Sequence, residues 1–220
     1  MGTLENKGFE FVLNTQNLVG KFKWSTSFNI AFNKGRVVNI LGQVIEGGIS
    51  SMNRVMEGQP VGVFYTVEYA GVDPENGDAL FYLNTKNTDG TLNRGTTNNY
   101  SLAQRTILGS PYPTLMAGLT NTITYKEFDL SFTFQGEWGA SMYNEGGKFQ
   151  SGNARYEDNQ TIDQLDRWQK PGDITMVPQA RMYRTNGQQA STRYLESSDF
   201  VRLRNLSLGY TFSKKINHHS

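Results

Sequence analysis

The chain has 220 residues, of which 37% are hydrophobic, and its 21 basic and 20 acidic residues leave a net charge of +1. Without a basic stripe this balance argues against nucleic-acid binding, and the absence of cysteine excludes disulfide frameworks and thiolate sites. The two histidines, His218 and His219, stand together near the end of the chain, which leaves none for a catalytic triad or a histidine-bearing zinc site in its body. We therefore expect no thiolate site, no triad and no histidine-bearing zinc site, and we assign no catalytic residue, no metal and no cofactor.

Five segments alternate between apolar and polar side chains, as strands with one wet face do. In chain order they are residues 7–16, 21–33, 113–125, 127–138 and 199–212. The alternation in 127–138 is unbroken for twelve residues. At about 3.3 Å per residue and a tilt of about 40°, such a strand reaches roughly 30 Å, which spans the apolar band, about 25 Å tall, of an outer-membrane β-barrel.

The alternation assigns each side chain to one of two faces. In 127–138 the apolar set, which includes Phe132, is expected to face lipid, and the polar set, which includes Thr133, is expected to face the interior. In 113–125 the outward-facing residues are apolar, and Asn121 is the single polar exception. Aromatic residues beside the predicted turns are suited to the interfacial girdle of a barrel.

The connections between these segments are of two kinds. Tight turns are predicted at 17–20 and around Lys126 and Glu127, whereas the intervals 34–112 and 139–198 are long. Within 61–83 the runs 61–70 and 79–83 fit either a hairpin of the barrel wall or an extracellular excursion, and the sequence leaves both open. Residues 139–198 are predicted to form a long extracellular loop, functional or disordered.

Six residues in and beside this predicted loop are candidates for substrate binding. Trp138, Tyr143 and Trp168 could stack on sugar faces, and Asn144, Arg155 and Asp158 could supply hydrogen bonds. The alternative is that each aromatic residue packs the loop against itself or against a partner. Trp168, within an Arg-Trp-x-x-Pro-Gly-Asp sequence, is the aromatic residue that best suits such a structural role.

The segment around Asp89 has two interpretations, a calcium loop and a plain turn. Asp89 is its single acidic residue, and Asn84 and Asn87 are weaker oxygen donors. Because calcium needs several carboxylates in a compact loop, a plain turn is the preferred interpretation.

Seven motifs in order resemble the C-terminal half of the barrel in SusC/RagA-type TonB-dependent outer-membrane transporters. They lie at 4–11 (Leu-Glu-Asn-Lys-Gly-Phe-Glu-Phe), 58–65, 69–78, 109–113 with 120–122, 128–136, 167–173 with 177–178, and 198–210. The resemblance covers essentially the whole chain. It implies an all-β fold: a partial transmembrane antiparallel β-barrel, cut from a wall of about 22 strands, with residues 1–220 forming a fragment of one barrel domain.

The resemblance also implies a function. The complete protein is expected to be an outer-membrane nutrient importer for oligosaccharides, or for peptides, that works with a SusD-like surface lipoprotein. An importer of this kind is not expected to be an enzyme. A TonB complex would act through N-terminal parts; a plug domain, a signal peptide and the final strands are expected in the complete protein and are not found in this sequence. The expected location is the cell outer membrane, in contact with its lipid.

Two other classes of protein also contain alternating strands. A soluble β-sandwich that binds carbohydrate or mediates adhesion would bury its apolar faces against each other, with shorter and more aliphatic strands. A non-transporting adhesin or porin-like barrel would differ mainly in lacking a plug.

Overall fold

The structure is a computed structural model, and it describes residues 2–155, 157 and 159–212. Its strands are β1 (Thr3–Val19), β2 (Phe22–Asn39), β3 (Ile45–Gly47), β4 (Asn53–Val55), β5 (Val63–Val67), β6 (Tyr69–Val72), β7 (Ala79–Tyr82), β8 (Thr96–Thr97), β9 (Arg105–Gly109), β10 (Leu115–Tyr125), β11 (Phe128–Trp138), β12 (Ser141–Tyr143), β13 (Leu195–Ser197) and β14 (Phe200–Tyr210). A short helix, α1, covers Glu145–Gln150. In this described part, no helix combines the length and the apolar character needed to cross a membrane. The two histidines lie outside the described residues.

The chain divides into two compact units. The wall unit comprises residues 4–36, 112–140 and 198–212, and the excursion unit comprises 37–111 and 141–197 together with the first residues of the chain. Strands β5, β6 and β7, which cover the undecided runs of 61–83, lie in the excursion unit and not in the sheet of the wall unit.

The wall unit is built on one five-stranded sheet with the order β1-β2-β10-β11-β14. All five predicted strands are confirmed, and β1 and β2 are longer than predicted, at 17 and 18 residues. Strand β10 pairs antiparallel with β2 and with β11, and β11 pairs antiparallel with β14. Lys126, in the tight turn between β10 and β11, has φ 54°, the left-handed conformation that two-residue hairpin turns use.

The apolar face of this sheet is exposed within its own unit. Phe128 retains 52% of its accessible surface, Leu206 64% and Leu208 73%. A β-sandwich would cover such a face with a second sheet, and the described part of the wall unit contains a single sheet. An exposed apolar face on long strands is the arrangement of a barrel wall that meets lipid.

A bulge in β14 keeps its apolar residues on this face. Phe132 of β11 pairs with Leu206, and Phe134, two residues further on, pairs with Leu203 and not with Arg204. The extra residue changes the phase of the alternation, so that Val201 and Leu203 share the outward face with Leu206.

The excursion unit has a conventional buried core. Its members are Val67, Tyr69, Ala79, Phe81 and Ala103, with Tyr100 packed against them. The Phe81 ring meets Tyr69 at 5.8 Å and Tyr100 at 5.3 Å between centroids, both edge to face, as buried aromatic pairs prefer. Short strands from three sheets, β3-β4-β5-β9, β6-β7-β8 and β12-β13, make up the regular structure around this core.

Residues 141–197 are folded onto 37–111 within this unit. The hydroxyls of Thr66 and Tyr100 donate to the Ala190 carbonyl at 3.1 and 2.7 Å, and the Tyr69 amide donates to the Thr192 hydroxyl at 2.9 Å. Most of the segment predicted as a loop therefore has an ordered structure with its own strands and helix.

Candidate ligand cleft in the excursion unit

A cleft of about 650 Å³ opens in the excursion unit. Its walls combine polar and apolar surface and come from segments far apart in the chain: Tyr69 of β6, Asn144, Gly146, Gly147, Gln150 and Ser151 around α1, Thr161 and Asp163, Met176 and Val177, and Thr192, Arg193, Tyr194 and Glu196. The volume lies within the range of about 300–1,000 Å³ that is typical of small-molecule sites.

Arg193 connects several segments around the cleft through hydrogen bonds. Its guanidinium donates to the Asn153 side-chain oxygen at 2.8 Å, to the Gly187 carbonyl at 3.2 Å and to the Ser151 carbonyl at 3.4 Å. It also lies 5.1 Å from the centroid of the Tyr194 ring, within cation–π range. Since these partners occupy the guanidinium, Arg193 is a positioning residue for the cleft.

The two tyrosines of the cleft are anchored. Tyr69 is 8% and Tyr194 4% exposed, and the Tyr69 hydroxyl donates to the Met176 carbonyl at 2.9 Å. Burial raises the pKa of both phenols. Little of either ring is therefore available to a ligand.

One rim of the cleft is a carboxylate and amide pair. The Asn144 side chain accepts from the Gly147 amide at 2.6 Å, which caps α1, and its amide donates to Glu196 at 2.8 Å. Glu196 and Gln150 are exposed, so both rim side chains can meet a ligand.

A second rim of the cleft is organised around Asp163. Burial acts to raise the pKa of this carboxyl, but hydrogen bonds from Thr161, Ser151 and Gln164 outweigh it and hold the pKa below its ordinary value. The carboxylate is therefore ionised at neutral pH. Together the two rims offer carboxylate and amide oxygens with hydroxyl and amide donors, which suits a polar ligand.

Of the six predicted site residues, Asn144 lines this cleft and Tyr143 lies immediately behind it. The Tyr143 ring packs edge to face on Tyr194, with centroids 6.4 Å apart. Arg155 lines a separate pocket of about 40 Å³ with Lys148, Phe149, Gly152 and Gln188. Asp158 lies outside the described residues.

Trp138 is the last residue of β11 and belongs to the sheet, not to the predicted loop. It pairs with Leu115, and a Cβ at Gly136 would collide with its ring, because the ring lies over that glycine on the outward face. Alternation along β11 puts Trp138 on the apolar face with Phe132 and Phe134, so its expected role in sugar stacking is corrected to an aromatic residue of the outer wall.

Trp168 is buried, with 5% of its surface exposed. Its indole N–H donates to the Pro74 carbonyl at 3.1 Å, and its ring covers Gly77, where a Cβ would collide with it. A buried ring cannot stack on a sugar, so Trp168 has the packing role that the sequence analysis gave as its alternative.

The predicted site missed Tyr69, Asp163 and Arg193. No motif marks them, and Tyr69 is more than ninety residues from Asp163 in sequence. Their meeting depends on the packing of 141–197 against 37–111, which carries no local sequence signal.

The Asp89 segment is a turn. Asp89 accepts from the Thr91 amide and hydroxyl at 2.9 and 2.6 Å, and Asn84 is buried with its oxygen 2.9 Å from Arg94. Across the described residues, no group of three or more acidic, histidine or cysteine side chains is placed to hold a metal ion.

Comparison with known proteins gives a consistent family of relatives, although no protein-family profile matches the chain. The chain is 30% identical to TonB-dependent receptor P3 of Formosa agariphila, over 98% of this chain and 22% of that receptor. It is 30% identical to TonB-dependent receptor P26 of the same organism, over 96% of this chain and 22% of that receptor. TonB-dependent receptor SusC of Bacteroides thetaiotaomicron is 25% identical over 96% of this chain and 21% of its own length. The chain therefore spans about a fifth of these relatives.

Solved structures share the fold. The RagAB peptide transporter matches with a TM-score of 0.83 at 24% identity, over 98% of this chain and 24% of that one. The RagAB peptide importer in its open-open state matches with a TM-score of 0.76 at 23% identity, over all of this chain and 23% of that one. In sequence and in fold the chain is therefore similar to part of the β-barrel of SusC/RagA-type TonB-dependent receptors, and its location is the outer membrane.

Proposed function

We propose that this chain is part of an outer-membrane importer that takes up oligosaccharides. The observation that carries the proposal is the alignment of nearly the whole chain with TonB-dependent receptors, SusC among them. The relatives are named as receptors and not as enzymes, so the ligand is proposed to pass without chemical change. Peptides are the second substrate class, because the similar RagAB structures are described as a peptide transporter and importer.

The cleft of the excursion unit is proposed to contact the ligand before transport. Asn144, Gln150 and Glu196 supply polar groups at its rim. Binding through a few exposed hydrogen-bonding groups is weak and reversible, as capture before transport requires.

A SusD-like surface lipoprotein is proposed as the partner of the excursion unit. Several large apolar side chains of 141–197 are exposed: Ile162 by 82%, Leu165 by 67%, Ile174 by 96%, Met176 by 61% and Tyr183 by 66%. Large apolar side chains that are exposed in one segment of the chain support a protein contact there. The TonB complex is proposed to act through parts of the protein outside this chain.

The proposal is tested by deleting the gene for the complete receptor and restoring it on a plasmid. Uptake of labelled hexasaccharides and hexapeptides is then measured in both strains, with and without a protonophore. Uptake of a hexasaccharide that requires the gene and stops with the protonophore is expected. Equal uptake in both strains for every probe would overturn the import function, and gene-dependent uptake of peptides alone would change the substrate class.

A further inference from the structure

The inner face of the wall unit carries two complete rows of uncharged hydrogen-bonding side chains. Cross-strand register aligns residues of β2, β10, β11 and β14 at the same level of the sheet. The first row is Ser27, Thr120, Thr133 and Asn205, and the second is Ser25, Thr122, Ser131 and Ser207. We refer to these eight residues as the neutral belt.

The rows on either side of the neutral belt carry charge. Towards the tight turns the next row contains Lys23 and Asp129, which flank Thr124. In the other direction the next row contains Gln135 and Arg202. Uncharged chemistry is therefore confined to one level of the inner face and is not a property of the whole wall.

Most groups of the neutral belt are unengaged. The hydroxyls of Thr120 and Thr133 lie 2.9 Å apart and bond to each other. The other six side chains of the belt make no side-chain hydrogen bond with any other described residue. Their donors and acceptors are available to a ligand at the inner face, since no described side chain occupies them.

A groove of about 340 Å³ lies over one side of the belt. Its lining includes Ser25, Ser27, Thr120 and Thr122 of the belt and the amides Asn14 and Gln16 of β1. This volume is at the lower end of the range of about 300–1,000 Å³ for ligand pockets, so the groove suits a short part of a ligand.

We propose that the neutral belt is a contact surface for an uncharged, hydroxyl-rich ligand, namely a neutral oligosaccharide, on the inner face of the barrel wall. The inference rests on the import function proposed above. A hydroxyl donates and accepts, so each belt group can exchange one sugar hydroxyl for the next as the ligand moves. Without a full charge, no single contact holds the ligand strongly.

The test uses the complete receptor with Thr120→Val and Thr122→Val together, which remove two belt hydroxyls and keep the branched shape that suits a strand. Thr124→Val, on the same strand and face but outside the belt, is the matched control. Initial uptake rates are measured for labelled maltohexaose, cellohexaose and mannohexaose, for hexagalacturonate as an acidic probe and for hexaglycine, and are divided by the surface amount of receptor. In a separate measurement without any oligosaccharide or peptide, the permeability of cells with each receptor variant to a large antibiotic is determined, because a raised permeability reports a leaking barrel.

The double variant is expected to lower uptake of the neutral hexasaccharide that the wild type imports by roughly three- to tenfold, as the loss of one or two hydrogen bonds predicts. The control is expected to import it at the wild-type rate. Undiminished uptake by the double variant, wild-type uptake of charged probes only, or raised antibiotic permeability would each overturn the belt proposal; the last would mean that another part of the receptor rests there. Failure of the wild type to import any probe would instead overturn the import function.

Discussion

Asn121 shows how a polar side chain is accommodated on a face that meets lipid. It is the polar exception on the outward face of β10, and it is 7% exposed. Its side-chain oxygen accepts from the Trp24 indole at 2.8 Å and from the Thr26 hydroxyl at 2.7 Å, and Thr26 in turn accepts from Asn17 at 2.7 Å. Because lipid offers no hydrogen-bond partner, such a group is tolerated when its partners lie within the sheet. The sequence revealed the exception but not these partners, since they come from other strands.

Replacing Asn121 with leucine is expected to destabilise the barrel, although leucine is the more apolar residue. The change leaves the Trp24 indole and the Thr26 hydroxyl without their acceptor, which lowers the free energy of unfolding by about 1–3 kcal/mol. The measurement is the urea midpoint of the heat-modifiable folded form of the complete receptor. A double variant, Asn121→Leu with Thr26→Val, removes one orphaned donor and should recover part of the loss; a single variant as stable as wild type would contradict the account.

Asp163 makes the excursion unit sensitive to acid. Its pKa is below the ordinary value in the folded state, so its hydrogen bonds stabilise the fold above the unfolded pKa and are lost as pH falls through the folded pKa. Hydrogen exchange of 150–155 and 160–165, corrected for intrinsic rates, is expected to lose protection in acid. Asp163→Asn should lower protection at neutral pH and flatten this dependence, and an unchanged pH profile in that variant would assign the acid sensitivity to another group.

At the scale of elements, period-two alternation predicted the five wall strands because each has one face against lipid and one against water. It did not predict the bulge at Arg204, since a phase change in a single strand has no meaning until the register of its neighbour is known. The short strands of the excursion unit, many of three to five residues, carry too little alternation for any such prediction.

Deleting Arg204 is expected to be tolerated, whereas deleting Ser207 is expected to be harmful. Without Arg204, Leu203 and Leu206 stand two residues apart and keep their pairing with β11 in a regular register, so the apolar residues on both sides of the bulge stay on the outward face. Without Ser207, Leu206 and Leu208 become neighbours, and one of them must turn to the inner face. The yield of folded, heat-modifiable receptor measures the difference. Similar yields from the two deletions would show that the outward facing of these side chains does not decide whether the receptor assembles.

At the scale of the whole molecule, motifs that resemble those of SusC/RagA-type transporters predicted the barrel. The folded structure within 139–198 was not predicted. Trp168 and Arg181 are of the residue types that dominate binding hot spots, but Trp168 is buried and Arg181 pairs with Asp78 at 2.6 Å. A tryptophan or an arginine serves packing and recognition equally well, so residue type alone does not separate the two roles.

The partner surface is tested at Ile174, the most exposed of the large apolar side chains. Ile174→Glu is expected to reduce co-purification of the surface lipoprotein, because a buried, unpaired carboxylate at an interface is costly, while the receptor still assembles. Lys170→Glu, a change at another exposed position, is the control. Normal capture of the lipoprotein by the Ile174 variant would remove this side chain from the interface.

The central claim is that alternate residues of the wall strands face lipid and the barrel interior, and spin labels along β11 test it most directly. Single cysteines are placed in turn at positions 128–138 of the complete receptor, and this part of the protein has no native cysteine. Relaxation by oxygen, which concentrates in lipid, and by a water-soluble nickel complex is then compared in membranes. We expect oxygen to dominate at even positions, Phe132 among them, and nickel at odd positions, Thr133 among them. An absence of alternation, or alternation of the opposite phase, would contradict the assignment of these strands to a membrane barrel.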